Sequence, residues 1–196
     1  MKKLLPLFCL FTLLTAFTCE NEPLDVGFDL GENNNNNSEL IGTWELVDFD
    51  VTLVSSSTFG DQSFTSDIAI ISTEEDYTLN FTQNTFTTSG NYTYDTQVAV
   101  NGDTVSTDAY SMESVNGNGT YSTVNHVMTV DGSFFDFEFE GMDQSALQGE
   151  QTVTFSISND GQTLTFSQDE TTSQTDPATG NVTDNTTTST SVWIRQ

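Results

Sequence analysis

Basic residues are almost missing from this chain. Its 196 residues include three Lys and Arg together, against 29 Asp and Glu, and the formal net charge is −26. Lys2 and Lys3 stand at the N-terminus, so from residue 4 onward Arg195 is the one Lys or Arg. Nucleic-acid binding is excluded on that ground, because such affinity comes from Lys and Arg neutralising phosphates. Cysteine is equally scarce: Cys9 and Cys19 are the whole supply, which leaves no disulfide framework or thiolate zinc site. The single His, His126, falls at an expected turn and has no nucleophile or orienting group that the sequence points to. Gly-rich phosphate loops, Gly-x-Ser-x-Gly elbows and metal-binding His pairs are also absent. No enzymatic activity, metal or cofactor is expected.

Only one apolar run is long, and it is N-terminal. Met1-Lys2-Lys3 followed by Leu4 to Thr18 has a positive start and an apolar stretch too short to cross a bilayer comfortably, the pattern of a secretory leader. Residues 1–18 are therefore expected to be removed. Leu14-Thr15-Ala16-Phe17-Thr18-Cys19 resembles a lipobox, which implies that Cys19 is acylated and becomes the new N-terminus; the alternative is an ordinary cut near Ala16. Loss of Cys9 with the leader leaves Cys19 without a partner sulfur, and acylation accounts for an unpaired thiol in an exported protein. Several acyl chains hold a protein firmly where one does not.

Residues 19–38 carry Glu20, Glu22, Asp25, Asp29 and Glu32, then Asn33 to Asn37, with little to bury. They read as a tether, reaching on the order of 25 Å as a flexible coil. Acids soon after a lipidated Cys resemble the surface-export signal of Bacteroidota lipoproteins. That resemblance implies an outer-membrane location, at the cell surface rather than on the periplasmic face. From Cys19 onward 29 acids face Arg195 alone, a net charge of −28, and self-repulsion of that size is strongly salt-dependent.

Residues 39–196 read as strand after strand. In Leu40-Ile41-Gly42-Thr43-Trp44-Glu45-Leu46, Gly42, Trp44 and Leu46 share a face because side chains alternate with period two. Phe49, Val51 and Leu53 fall at the opposite parity, so a bulge near Val47 or Asp48 is needed to keep both sets inward. Ser55 to Ser66 is expected to be a polar loop, and Ile68 to Ile71 is ambiguous between a strand and a helical turn. Tyr77, Leu79 and Phe81, then Phe86 to Tyr94, form a hairpin; Asn101-Gly102 turns a second. Gly119-Thr120-Tyr121 leads to Val124, a turn at Asn125-His126, and Met128-Thr129-Val130. Phe135, Phe137 and Phe139 alternate with Asp136, Glu138 and Glu140, which predicts a strand with one dry and one wet face. Val153 to Ile157 is followed by a turn at Asn159-Asp160-Gly161 and by Leu164 and Phe166. Thr-rich strands to about Thr175 and from Val182 close the chain. No amphipathic helix competes, so the fold class is all-β, with about eight to ten antiparallel strands.

The Leu-Ile-Gly-x-Trp opening at Leu40 to Trp44, the Gly-x-Tyr at Gly119 and the terminal Val192-Trp193-Ile194-Arg195 together resemble the lipocalin-like domains of bacterial lipoproteins. That resemblance implies a single up-and-down β-barrel over residues 39–196, with the late Arg195 covering Trp44. Phe81, Phe86, Tyr92, Phe135, Phe137, Phe155 and Phe166 fall on the expected inward faces. They either line an apolar cavity or fill a small closed barrel, since about eight strands leave room for side chains or one small ligand. In the first case the ligand is small and apolar or neutral, bound through aromatic faces and the hydroxyls of Tyr77, Tyr92 and Tyr121. In the second the protein is a structural or interaction lipoprotein. The acidic groups Asp48 with Asp50, and Asp136 with Glu138 and Glu140, read as solvated faces before they read as calcium ligands. The membrane, through the lipid anchor, is the expected partner, and a monomer is the expected state.

Acylation has a direct test. Labelled palmitate should enter the wild-type chain and not Cys19→Ser; equal labelling of the two rules out the lipid anchor.

Overall fold

Thr, Val, Phe and Tyr fit a pleated, half-buried surface, and strands carry this fold. A computed structural model describes residues 37–59, 62–137, 150–177 and 179–196. The leader, Cys19 and the tether up to residue 36 lie outside them, as do Glu138, Phe139 and Glu140. After a 3-10 turn at Asn37–Glu39 come β1 (Gly42–Phe59), β2 (Gln62–Phe81), β3 (Thr85–Val100), β4 (Asp103–Val124), β5 (Val127–Asp131), β6 (Glu150–Ile157), β7 (Thr163–Thr175) and β8 (Val182–Arg195). Each strand pairs antiparallel with the next in sequence, and β1 pairs with β8. The fold is therefore an up-and-down antiparallel barrel of eight strands.

The turns follow their residue chemistry. Asn101 and Gly102 both take positive φ, 52° and 87°, which is the geometry of the tight hairpin turn that matches strand twist. Val124 pairs with Val127 across Asn125-His126, and Asn125 also takes a positive φ of 57°. Along β1, register shifts between Leu46 and Asp48 against β8, and between Glu45 and Asp50 against β2. This is the expected bulge: Trp44 and Leu46 before it and Phe49 after it are all buried. Ser72 stabilises the irregularity, because its Oγ accepts the Phe49 N–H at 2.9 Å and donates to Asp48 Oδ1 at 3.1 Å.

Two sequence expectations are overturned. Ser55 to Ser66 is not a loop: β1 and β2 stay paired from Val54↔Asp67 to Phe59↔Gln62, and β8 pairs the other edge of β1 as far as Thr58↔Val182. Ser and Thr look loop-like one residue at a time, but neighbours on both edges satisfy their backbone groups. The second correction concerns Phe135 and Phe137, which do not lie on a strand. After Asp131 the chain leaves β5 at Gly132, with a φ of +127°, and residues 132–137 form a coil that turns into the barrel. Here Phe134, Phe135 and Phe137 all pack against the core, so two adjacent residues face inward and the period of two is broken.

Most large apolar side chains point in and most polar ones point out, with Thr88, Thr96 and Ser191 among the buried polar exceptions. On β3, Phe86, Tyr92 and Tyr94 are buried while Thr87, Ser89, Asn91, Asp95 and Gln97 are exposed. A membrane-spanning barrel has the opposite arrangement, an apolar outer band. Among the described residues no helix is long and apolar enough to cross a membrane.

The start of the first strand and the end of the last meet at Arg195. Its guanidinium carbon lies 4.2 Å from the centroid of the fully buried Trp44 ring. Nε donates to Gly161 O at 2.8 Å, Nη1 to Ile41 O at 3.0 Å, and Nη2 to Glu39 O. Gly42 leaves the space this requires, since a Cβ there would stand 3.1 Å from Nη1. One cation thus caps the first strand, the β6–β7 turn and the last strand together. Arg195→Ala should lower stability by about 2 to 4 kcal/mol, from the cation–π contact and the charge-assisted hydrogen bonds, read as a melting temperature lower by about 5 to 15 °C. An unchanged melting temperature would show the contact to be idle.

Candidate ligand cavity inside the barrel

The strands are unequal in length, and this places the cavity. β5 covers only Thr120 to Val124 of β4, and β6 covers only Leu164 to Ser167 of β7. Among the described residues, the long remainders of β4 and β7 therefore pair on one side only. At this gap the coil of residues 132–137 enters the interior.

Two tyrosines hold it there. Tyr77 Oη donates to Phe134 O at 2.8 Å. Tyr92 Oη donates to Asp136 O and accepts the Asp136 N–H at 2.8 Å. The coil's rings then thread the core. Phe134 lies 4.9 Å from Phe86 and 5.0 Å from Phe166; Phe135 lies 4.7 Å from Phe49 and 5.7 Å from Trp193; Phe137 lies 5.6 Å from Tyr94. Edge-to-face and offset pairs at such spacings each add about 0.5 to 1.5 kcal/mol beyond burial. Tyr121, nearer the β2–β3 turn, donates to Thr82 O at 2.6 Å. The three hydroxyls expected to face a ligand are thus bound to backbone carbonyls instead.

Burial pushes all three phenols up, Tyr77 and Tyr121 to about 12 and Tyr92 further still; the Asp136 carboxylate also raises Tyr77 and Tyr92. Near the surface, Asp50 is raised by partial burial and by Asp48 beside it.

Beside the coil remains a cavity of about 130 Å³. One wall is apolar: Val51 and Leu53 of β1, Ile70 of β2, Val130, and the rings of Phe134, Phe135 and Phe137. The rest of the lining is largely polar and neutral, with Gln151 of β6, Gln168 of β7, and Thr187, Ser189 and Ser191 of β8, of which Ser189 and Thr187 pair directly with Val51 and Leu53. No charged side chain lines it among the described residues. A space of this size holds about one benzene-sized molecule and is too small for a long acyl chain.

Of the expected lining residues, Phe135, Phe137 and Phe166 border this cavity. The others pack elsewhere. Phe81 stacks edge-on against Tyr121 at 4.9 Å, with Phe86 at 6.3 Å; Tyr92 packs on Tyr77 and Phe49; Phe155 lies against His126 at 6.1 Å. Trp44 and Arg195 belong to the closure of the chain's ends. The polar wall went unnoticed in sequence, although the alternation Thr187, Ser189, Ser191, Trp193 does put these four on one face of β8.

A second, more polar cleft of about 320 Å³ lies between β4 and residues 133–137, edged by the exposed Asn116, Asn118 and Asp136. The buried Tyr77 and Thr88 also line it. No group of three or more His, Cys, Asp or Glu among the described residues is placed to hold a metal ion.

The chain matches no family model, no curated protein and no solved structure.

The tyrosines predict an alkaline transition. Their folded pKa values exceed the ordinary phenol value of about 10, so the native state holds protons that the unfolded chain releases. Their stabilising effect is complete below pH of about 10 and declines as pH rises through about 12. Melting temperature should accordingly fall steeply over that window, and Tyr77→Phe should flatten the fall. A profile with no added slope above pH of about 10 would contradict the buried, neutral phenols.

Proposed function

We propose that this protein is a lipid-anchored envelope lipoprotein of lipocalin-like type, displayed at the outer-membrane surface, whose barrel takes one compact, neutral ligand. The observation that carries the reading is the cavity of about 130 Å³ with an apolar and a neutral polar wall, inside a barrel whose outer face is polar. Size argues for a ligand of benzene-like dimensions, and a net charge of −28 from Cys19 onward disfavours anions. The leader, the lipobox-like Leu14 to Cys19 and the acidic tether support the anchor and the surface location.

A second reading has its own observation. Phe134, Phe135 and Phe137 already occupy much of the interior, as in a barrel filled for structural reasons and displayed as an interaction module.

Calorimetric titration of the purified chain separates the two. Compact neutral molecules of six to eight heavy atoms, toluene among them, should bind saturably with about −4 to −7 kcal/mol, whereas a long-chain fatty acid should not. Absence of saturable binding across that panel leaves the filled structural barrel as the function.

A further inference from the structure

Ser191 is the group in the cavity whose chemistry is already half committed. It is 6% exposed, and its Oγ accepts the indole Nε1–H of Trp193 at 2.9 Å. A serine hydroxyl has one proton to give. Among the described residues no acceptor receives the one on Ser191, and Ser191 lines the cavity together with Ser189 and Thr187. A buried hydroxyl proton left without an acceptor is costly, and Val51, Leu53 and Ile70, beside these residues in the sheet, offer it none.

Building on the binding function proposed above, we propose that the ligand is a neutral, cyclic molecule carrying a hydrogen-bond acceptor, such as a ketone, ester or amide oxygen, which receives the Ser191 hydroxyl proton. Its apolar body lies against Val51, Leu53, Ile70 and Phe135. Trp193 is a positioning residue: by occupying a lone pair of Ser191 Oγ, its indole biases the hydroxyl to act as donor toward the cavity. The selectivity has two parts. An acceptor gains a bond that a hydrocarbon of the same size cannot make. A carboxylate brings the acceptor but also a charge, which no described lining residue can pair and which is expensive to desolvate.

Three probes of similar ring size test this on the purified full chain: cyclohexanone, methylcyclohexane and cyclohexanecarboxylate. Cyclohexanone should bind about tenfold more tightly than methylcyclohexane, the factor one ordinary net hydrogen bond supplies, and cyclohexanecarboxylate at least a hundredfold more weakly than cyclohexanone. Nuclear magnetic resonance gives an independent signature. Of the two indole N–H signals, that of Trp193 should move with cyclohexanone and hardly at all with methylcyclohexane. Trp44, whose indole donates to Leu40 O at 2.8 Å, serves as the stationary control. Ser191→Ala should abolish the preference for cyclohexanone and keep the affinity for methylcyclohexane, and Ser191→Thr should restore the preference. Should Ser191→Ala fail to fold, the wild-type ratio and the Trp193 shift still decide. Equal binding of cyclohexanone and methylcyclohexane overturns the acceptor proposal while leaving the cavity a binding site. Failure of all three to bind overturns the binding function itself, and the acceptor proposal with it.

Discussion

The interior of this barrel depends on where Tyr77 and Tyr92 put their hydroxyl groups. A phenol buried among aromatic rings must still satisfy its O–H, and here the acceptors are main-chain carbonyls of a coil that belongs to no strand. The tyrosines are thereby satisfied, the coil is fixed inside the barrel, and its rings come to rest on Phe49, Phe86, Phe166 and Trp193. Removing either tyrosine's oxygen would leave a buried carbonyl to find another donor. The cavity is what remains once the coil is in place, so its size and its mixed walls are consequences of these bonds.

The short β5 and β6 make this arrangement feasible. An eight-stranded barrel with full-length walls has an interior just wide enough for its own side chains. Among the described residues β5 and β6 are short, and the coil of residues 132–137 passes inward beside them. The Ser and Thr face of β8 fits the same geometry: with Phe134 and Phe135 occupying the volume opposite, inward positions on β8 need not be large or apolar. Thr187, Ser189 and Ser191 can then place hydroxyls on this inner face.

Most of the wall was legible in the sequence because strand pairing between neighbours follows local patterns. The hairpins at Phe81 to Phe86, at Asn101-Gly102 and at Val124 to Val127 were readable from alternation and turn chemistry, and the opposed parity of Leu46 and Phe49 required a bulge. The interior was less legible. Alternation of Phe135 and Phe137 with Asp136 and Glu138 is as compatible with a strand as with a coil packed on both sides. What decides is a pair of hydrogen bonds from Tyr77 and Tyr92, 57 and 44 residues away in sequence. The polar loop read at Ser55 to Ser66 failed for a similar reason: its pairing partners on β8 lie more than a hundred residues away in the chain, and composition carries no trace of them.

The guanidinium that joins the chain's ends has a consequence for proteolysis. Trypsin-like proteases cut after Lys or Arg, and between residue 4 and the penultimate position the sequence has neither. Arg195 itself is held by three carbonyl oxygens and the Trp44 ring, so its side chain is unavailable to a protease's specificity pocket while the barrel is folded. Exposed loop tips are where most folded proteins are first nicked; here even unfolded tips would offer such enzymes no site. The same composition leaves no lysine amine on the barrel for aldehydes or acylating reagents to modify.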